Sequence, residues 1–258
     1  MVCMYVCFPQ TRAVFRNNAQ IFFMVRTGDM KNLDQLIIEN ETMLAQVLIS
    51  VKQDETQREG RLGQAIEKFT EARLLQKFFL TGKLVSPSEV QPCNDEEYIG
   101  AVIGCAQEIS RYVIGKAAEG DFVSITICRS LILELNGKML EFDFRNGPLR
   151  KKYDGLKYAL KTIEDVMFEM SMVDDSFIAK DDSMQVEGAG PSKKLKVESV
   201  NLLDIEAIDA IRGRMEAYDK LREDMIKQSR DVQKLSKQAI FAVHRGNLKV
   251  CVTLSRLL

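Results

Sequence analysis

LRKKYDGLKYALKTIEDVMFEM, residues 149–170, is the stretch that decides how this chain folds. Leu149, Tyr153, Leu156, Leu160, Ile163, Met167 and Met170 recur at 4-3-4-3-4-3 spacing. That spacing puts them on one stripe of a helix, a heptad seam about three heptads long. A seam of this kind serves either as the core face of a helical bundle or as an oligomer interface. Spacing alone leaves both open. Asn146-Gly147-Pro148 breaks the chain just before it and sets its start.

Working outward, the same helical period fills most of the chain, and strand-like alternation is scarce. Residues 29–53 predict one amphipathic helix through Leu33, Leu36, Ile37, Leu44 and Val47. Residues 54–81 predict a second, through Ile66, Phe69, Leu74, Leu75 and Phe78, with Gly82 as its C-cap. Ser86-Pro87-Ser88-Glu89 has the form of a capping box opening a short helix. Asn94-Asp95-Glu96-Glu97 opens another, with Tyr98, Val102, Cys105, Ile109 and Tyr112 on its apolar face. Gly120-Asp121 restarts the chain into a further helix that weakens near Asn136-Gly137. Residues 174–200 hold acidic residues and then Gly188-Ala189-Gly190-Pro191, the composition of a linker. The cluster Lys193, Lys194 and Lys196 follows and fits a nuclear import signal. Residues 201–245 predict a second long helix with Ile208, Ile211, Met215, Tyr218, Met225 and Val232 on one stripe. A helix that long must lay its stripe on residues 29–173 or on another chain. Near its end Ile240-Phe241-Ala242-Val243-His244-Arg245 echoes Ile21-Phe22-Phe23-Met24-Val25-Arg26. The expected class is all-α, an antiparallel bundle of about six to seven helices. Residues 1–28 carry no assignment.

Composition narrows the functions. The 258 residues are 46% hydrophobic and 28% charged, with a net charge of −1. This is a globular composition, and it excludes a uniformly basic nucleic-acid binder. A single histidine, His244, leaves no His-rich zinc site and argues against a Ser-His-Asp triad. The six cysteines form no C-x-x-C pair, which reads as a reducing compartment without a disulfide framework. No apolar run has membrane-spanning length.

Two constellations bear on chemistry. Glu67 and Glu71 stand at i, i+4 on one helix, and Glu108 lies on the next. Carboxylates facing each other from neighbouring helices can hold Mg²⁺, although such pairs are commonly just a solvated face. Arg58, Arg61, Lys68 and Arg73 run along one helix, and Arg150, Lys151 and Lys152 open another. Either set can contact phosphates or serve as ordinary ion-pair partners. No P-loop, dinucleotide fingerprint or aromatic RNA-binding box is present.

Several segments resemble the translin family. They are Glu97-Tyr98-Ile99-Gly100-Ala101-Val102, then Gln107-Glu108-Ile109-Ser110-Arg111, then Glu119-Gly120-Asp121. The most specific is NGPLRKKYDGLKY at 146–158, continuing through Ile163-Glu164-Asp165-Val166. Upstream, EARLLQKFFLTGKLVSPSEV at 71–90 is similar to the family's translin-associated factor X branch. The resemblance covers about residues 29–173. Lys227 to Val232 and Ser236 to Arg245 resemble that branch's first helix, here in rearranged order.

The resemblance implies a seven-helix bundle assembling into a ring or octameric barrel that encloses single-stranded DNA or RNA. It implies partners of two kinds, single-stranded nucleic acid and translin or translin-associated factor X subunits, in cytoplasm and nucleus. No membrane partner is implied. It further implies a Mg²⁺-dependent endoribonuclease acting in RNA silencing, whose carboxylates come as E-x-x-E and D-x-x-x-E. Here Glu71 matches the second Glu, but Lys68 stands at the first. Glu108 matches the final Glu, but Gly104 stands at the Asp. The expectation is therefore a degenerate catalytic pair, Glu71 and Glu108, with no metal and no cofactor. Phosphates fall to Arg58, Arg61, Lys68 and Arg111, and assembly to the Leu149–Met170 seam. An active Mg²⁺ enzyme, with Glu67 as substitute ligand, and a scaffold that binds only a partner subunit are the alternatives.

Overall fold

The computed structural model describes residues 2–27, 32–51, 60–145, 147–173 and 202–246. Among them the regular structure is helical: α1 (Val2–Thr27), α2 (Leu33–Val51), α3 (Arg61–Thr81), α4 (Asp95–Glu119), α5 (Phe122–Met139), α6 (Pro148–Val173) and α7 (Ile205–His244), with a short 3₁₀ turn at Pro87–Glu89. No strand occurs among the described residues. The all-α antiparallel bundle expected from the sequence is the fold. It forms two compact units, one ending at Ile208 and one beginning at Asp209.

In the first unit α3 and α4 form the centre. α4 packs on α3, α5 and α6, and α1 packs on α2 and α3. Phe69, Ile66, Leu74 and Leu75 of α3 and Tyr98, Ile99, Ile103 and Ile109 of α4 are fully buried. Each fully buried side chain of this size contributes about 1.5–3 kcal/mol. Polar ties fix the outer layer. Asn40 of α2 donates to Asn18 of α1 at 2.8 Å inside the core, and Arg73 of α3 meets Glu41 of α2 at 3.0 Å.

The local stop and start signals act as the sequence predicts, with two corrections. Gly82 ends α3 in the left-handed region at φ 74°, its N–H returning to Phe78 O, a backbone state that favours glycine. Asn94 and Glu97 close a reciprocal capping box at the head of α4. Asp121 caps α5 through the Ser124 N–H. The box expected at Ser86–Glu89 does not close: Ser86 makes no capping bond, its hydroxyl lies 2.7 Å from Ser88 Oγ, and only the 3₁₀ turn forms. The weakening expected near Asn136-Gly137 is also absent, because α5 runs on to Met139. Leu131, Ile132, Leu135 and Met139 are buried there and hold the last turn.

The α6 seam lies against α4 and α5 within the same chain. Tyr153, Leu156 and Ile163 are buried, while Leu149, Leu160, Met167 and Met170 are half-buried. As an oligomer interface the seam needs correcting at its centre, since those three side chains are already covered inside the protomer.

The segment 1–28, left unassigned by the sequence, contains α1 (Val2–Thr27), whose Val14, Ile21, Phe22 and Val25 are buried. The echoed motif sits in the opposite environment on α7, where Ile240 and Phe241 are 57% and 65% exposed. Tyr218, Leu221, Met225 and Val232 are exposed on α7 as well. The linker 174–200 and its lysines Lys193, Lys194 and Lys196 lie outside the described residues. No helix among the described residues is long and apolar enough to cross a membrane.

Candidate nucleic-acid interface and carboxylate cluster

Glu67 and Glu71 are one turn apart on α3 because a helix brings i and i+4 to one face. Opposite them, Gly100 and Gly104 are one turn apart on α4. A Cβ added at Gly100 would stand 2.9 Å from Glu67 Oε2, and one added at Gly104 would stand 2.6 Å from the Glu71 carboxyl carbon. The two carboxylates thus occupy the space that a Cβ at Gly100 or Gly104 would enter. Glu108, one turn beyond Gly104, is buried on the same helix. The three acids predicted from sequence do come together.

Each of them carries a cation of its own. Lys68 Nζ donates to Glu71 Oε2 at 2.7 Å. Lys152, reaching across from α6, is hydrogen-bonded to Glu67, and Arg111 to Glu108. Lys152 was grouped in the sequence only with the basic start of α6. Nothing local to 150–152 points at Glu67, which is 85 residues away.

Burial decides the electrostatics. The Glu71 side chain is 1% exposed. Desolvation pushes its carboxyl from 4.5 up to about 7, the nearby Glu108 and Glu67 push the same way, and the Lys68 ammonium opposes them without winning. Glu71 Oε1 has no hydrogen-bond partner among the described residues. Burial likewise raises the thiols of Cys105 and Cys128, the latter to about 12, so both stay protonated.

These residues do not fit Mg²⁺. The ion needs several oxygens free to approach it at about 2.0–2.1 Å. Here the Lys68 ammonium is hydrogen-bonded to one oxygen of Glu71 at 2.7 Å. Gly104 provides no carboxylate, and a side chain there would have to displace the Glu71 carboxylate.

The predicted phosphate contacts fare unevenly. Arg61 is exposed at the start of α3. The Lys68 side chain is 40% exposed but tied to Glu71 and placed over the Phe22 ring at 5.6 Å. Arg111 is 55% exposed and tied to Glu108. Arg58 lies outside the described residues. Arg73 serves the bundle through Glu41.

Comparisons with known proteins point one way. The Translin family model matches residues 25–173. The chain is 34% identical over 77 residues to Translin of Gallus gallus and, to the same degree, to Translin of Homo sapiens. Those stretches span 30% of this chain and 34% of each relative, about a third of the relatives' length. Among solved structures, apo-NeC3PO is similar with a TM-score of 0.59 at 14% identity, covering 65% of this chain and 91% of that one. A structure of an AfC3PO–duplex RNA complex has a TM-score of 0.57 at 16% identity, covering 67% and 91%. At such identities the likeness concerns the fold.

Proposed function

This chain belongs to the Translin family, and from that membership we propose that it is a subunit of an oligomeric complex that holds single-stranded RNA or DNA without cutting it. The observation that carries the non-cutting half is the pairing of Glu67, Glu71 and Glu108 with Lys152, Lys68 and Arg111. A carboxylate already neutralised by an internal ammonium or guanidinium has little attraction left for a divalent ion. The binding half is supported by the family and by the fold shared with a protein solved on duplex RNA. In this reading the chain is the non-catalytic partner of a cutting subunit in RNA silencing, in cytoplasm and nucleus. Lys193, Lys194 and Lys196 act as its import signal.

The experiment is fluorescence anisotropy with labelled single-stranded RNA, followed by incubation of the same complex with Mg²⁺ and gel analysis. Binding that weakens steeply with added KCl, over RNA that stays intact, is the expected result. Absence of binding at low salt defeats the reading. Cleavage that Glu108→Ala abolishes establishes the enzyme instead.

A further inference from the structure

We propose that the outer face of α6, centred on Tyr158 and rimmed by Lys151, Lys157 and Lys161, is the surface on which single-stranded nucleic acid lies. The inference rests on the binding function above and says where on the chain that function resides.

Charge accounting leads to it. The cations the sequence favours, Lys68 and Arg111, are committed to Glu71 and Glu108, and Lys152 to Glu67. A paired cation offers a phosphate little net field. Lys151, Lys157 and Lys161 are exposed, and among the described residues no carboxylate pairs with any of them. Asp154, the acid between them, is taken by Arg150 at 3.3 Å, and the next acids, Glu164 and Asp165, are exposed one turn past Lys161. From 150 to 161 the face therefore sets Arg150, Lys151, Lys157 and Lys161 against Asp154, a local positive excess on a chain whose net charge is −1.

An aromatic ring completes the surface. Tyr158 is 72% exposed, the most exposed of the chain's described aromatic rings, and its lysine neighbours span about 120° of the helix around it. Over about 15 Å of helix axis the face presents three ammonium groups and one open ring. Single-stranded nucleic acid is bound by this pairing, a basic track for the backbone and an aromatic face for a base. A protein partner fits less well, because the centres of protein interfaces are depleted in lysine. Tyr153, one turn earlier, is buried under Phe144 and cannot serve.

The test uses the full chain and a fluorescein-labelled oligouridylate of about 20 nucleotides, read by anisotropy over a KCl series. Tyr158→Ala weakens binding about ten-fold or more, while Tyr158→Phe keeps it, since the ring and not the hydroxyl stacks. Lys151→Gln with Lys157→Gln and Lys161→Gln lowers the slope of log K against log salt by about 2. All of these sites are exposed, and circular dichroism verifies that helix content is kept. If the unaltered chain does not bind, the proposed function falls and this surface with it. If it binds and Tyr158→Ala binds equally, or if the triple variant keeps the full slope, the surface alone is wrong. It is also overturned if the loss follows Lys68→Gln and Arg111→Gln instead, or if the triple variant changes the sedimenting mass, which makes the face a subunit contact.

Discussion

Glu71 concentrates the tension in this fold. It is buried, paired with Lys68 on one oxygen and unsatisfied on the other. Its carboxyl titrates near 7 in the folded chain against an ordinary value of 4.5. Between those two pH values the folded state binds more protons than the unfolded one. Stability from this group therefore falls as pH rises from about 4.5 to 7 and is level above that. Glu71→Gln removes this loss, so its stability relative to the parent rises across that window, by on the order of 3 kcal/mol at most. Urea unfolding at pH 5 and pH 8 measures it, and equal differences at both refute it. Gly104 provides the reciprocal check. An alanine in a helix gains about 1 kcal/mol over glycine. At this position the new Cβ meets the Glu71 carboxylate, so Gly104→Ala is expected to lose about 1–3 kcal/mol, read as a lower Tm.

Helix by helix, α4 is the best specified. Its capping box satisfies both Asn94 N–H and Glu97 N–H, and Asn94→Ala should lose about 1 kcal/mol in urea unfolding. Residues 94–97 announce this in sequence because capping depends on neighbours within one turn. The Ser86–Glu89 segment carries equally good letters and forms only a 3₁₀ turn, because no apolar stripe follows to propagate a helix. The α6 seam was legible as a stripe, but its partner was not. Spacing tells which side chains share a face and is silent on whether that face meets its own chain. The buried Leu156 answers for the centre: Leu156→Ala is expected to lose about 2–5 kcal/mol, in urea unfolding that does not depend on protein concentration. A concentration-dependent loss would return Leu156 to an interface between chains.

For the molecule as a whole the metal question is decisive. In the proposed non-cutting reading, three carboxylates each paired with a cation of the same chain make a cluster that needs no ion. Thermal unfolding with Mg²⁺ and with EDTA is expected to give the same Tm, since a ligand raises stability only where it binds the folded state. A higher Tm in Mg²⁺ would mean that the ion displaces Lys68.

The amino-acid sequence by itself determined that the chain is helical, where most helices stop, and which acids stand near one another along them. These properties depend on periods of three and four residues and on caps, all short in range. Only the tertiary structure decided that α1 packs against α2 and α3, that Lys152 crosses from α6 to Glu67, and that Gly100 and Gly104 seat the carboxylates. Each of these joins residues far apart in the chain. Which pairs meet is settled by how whole helix faces fit together, and no local pattern encodes that fit.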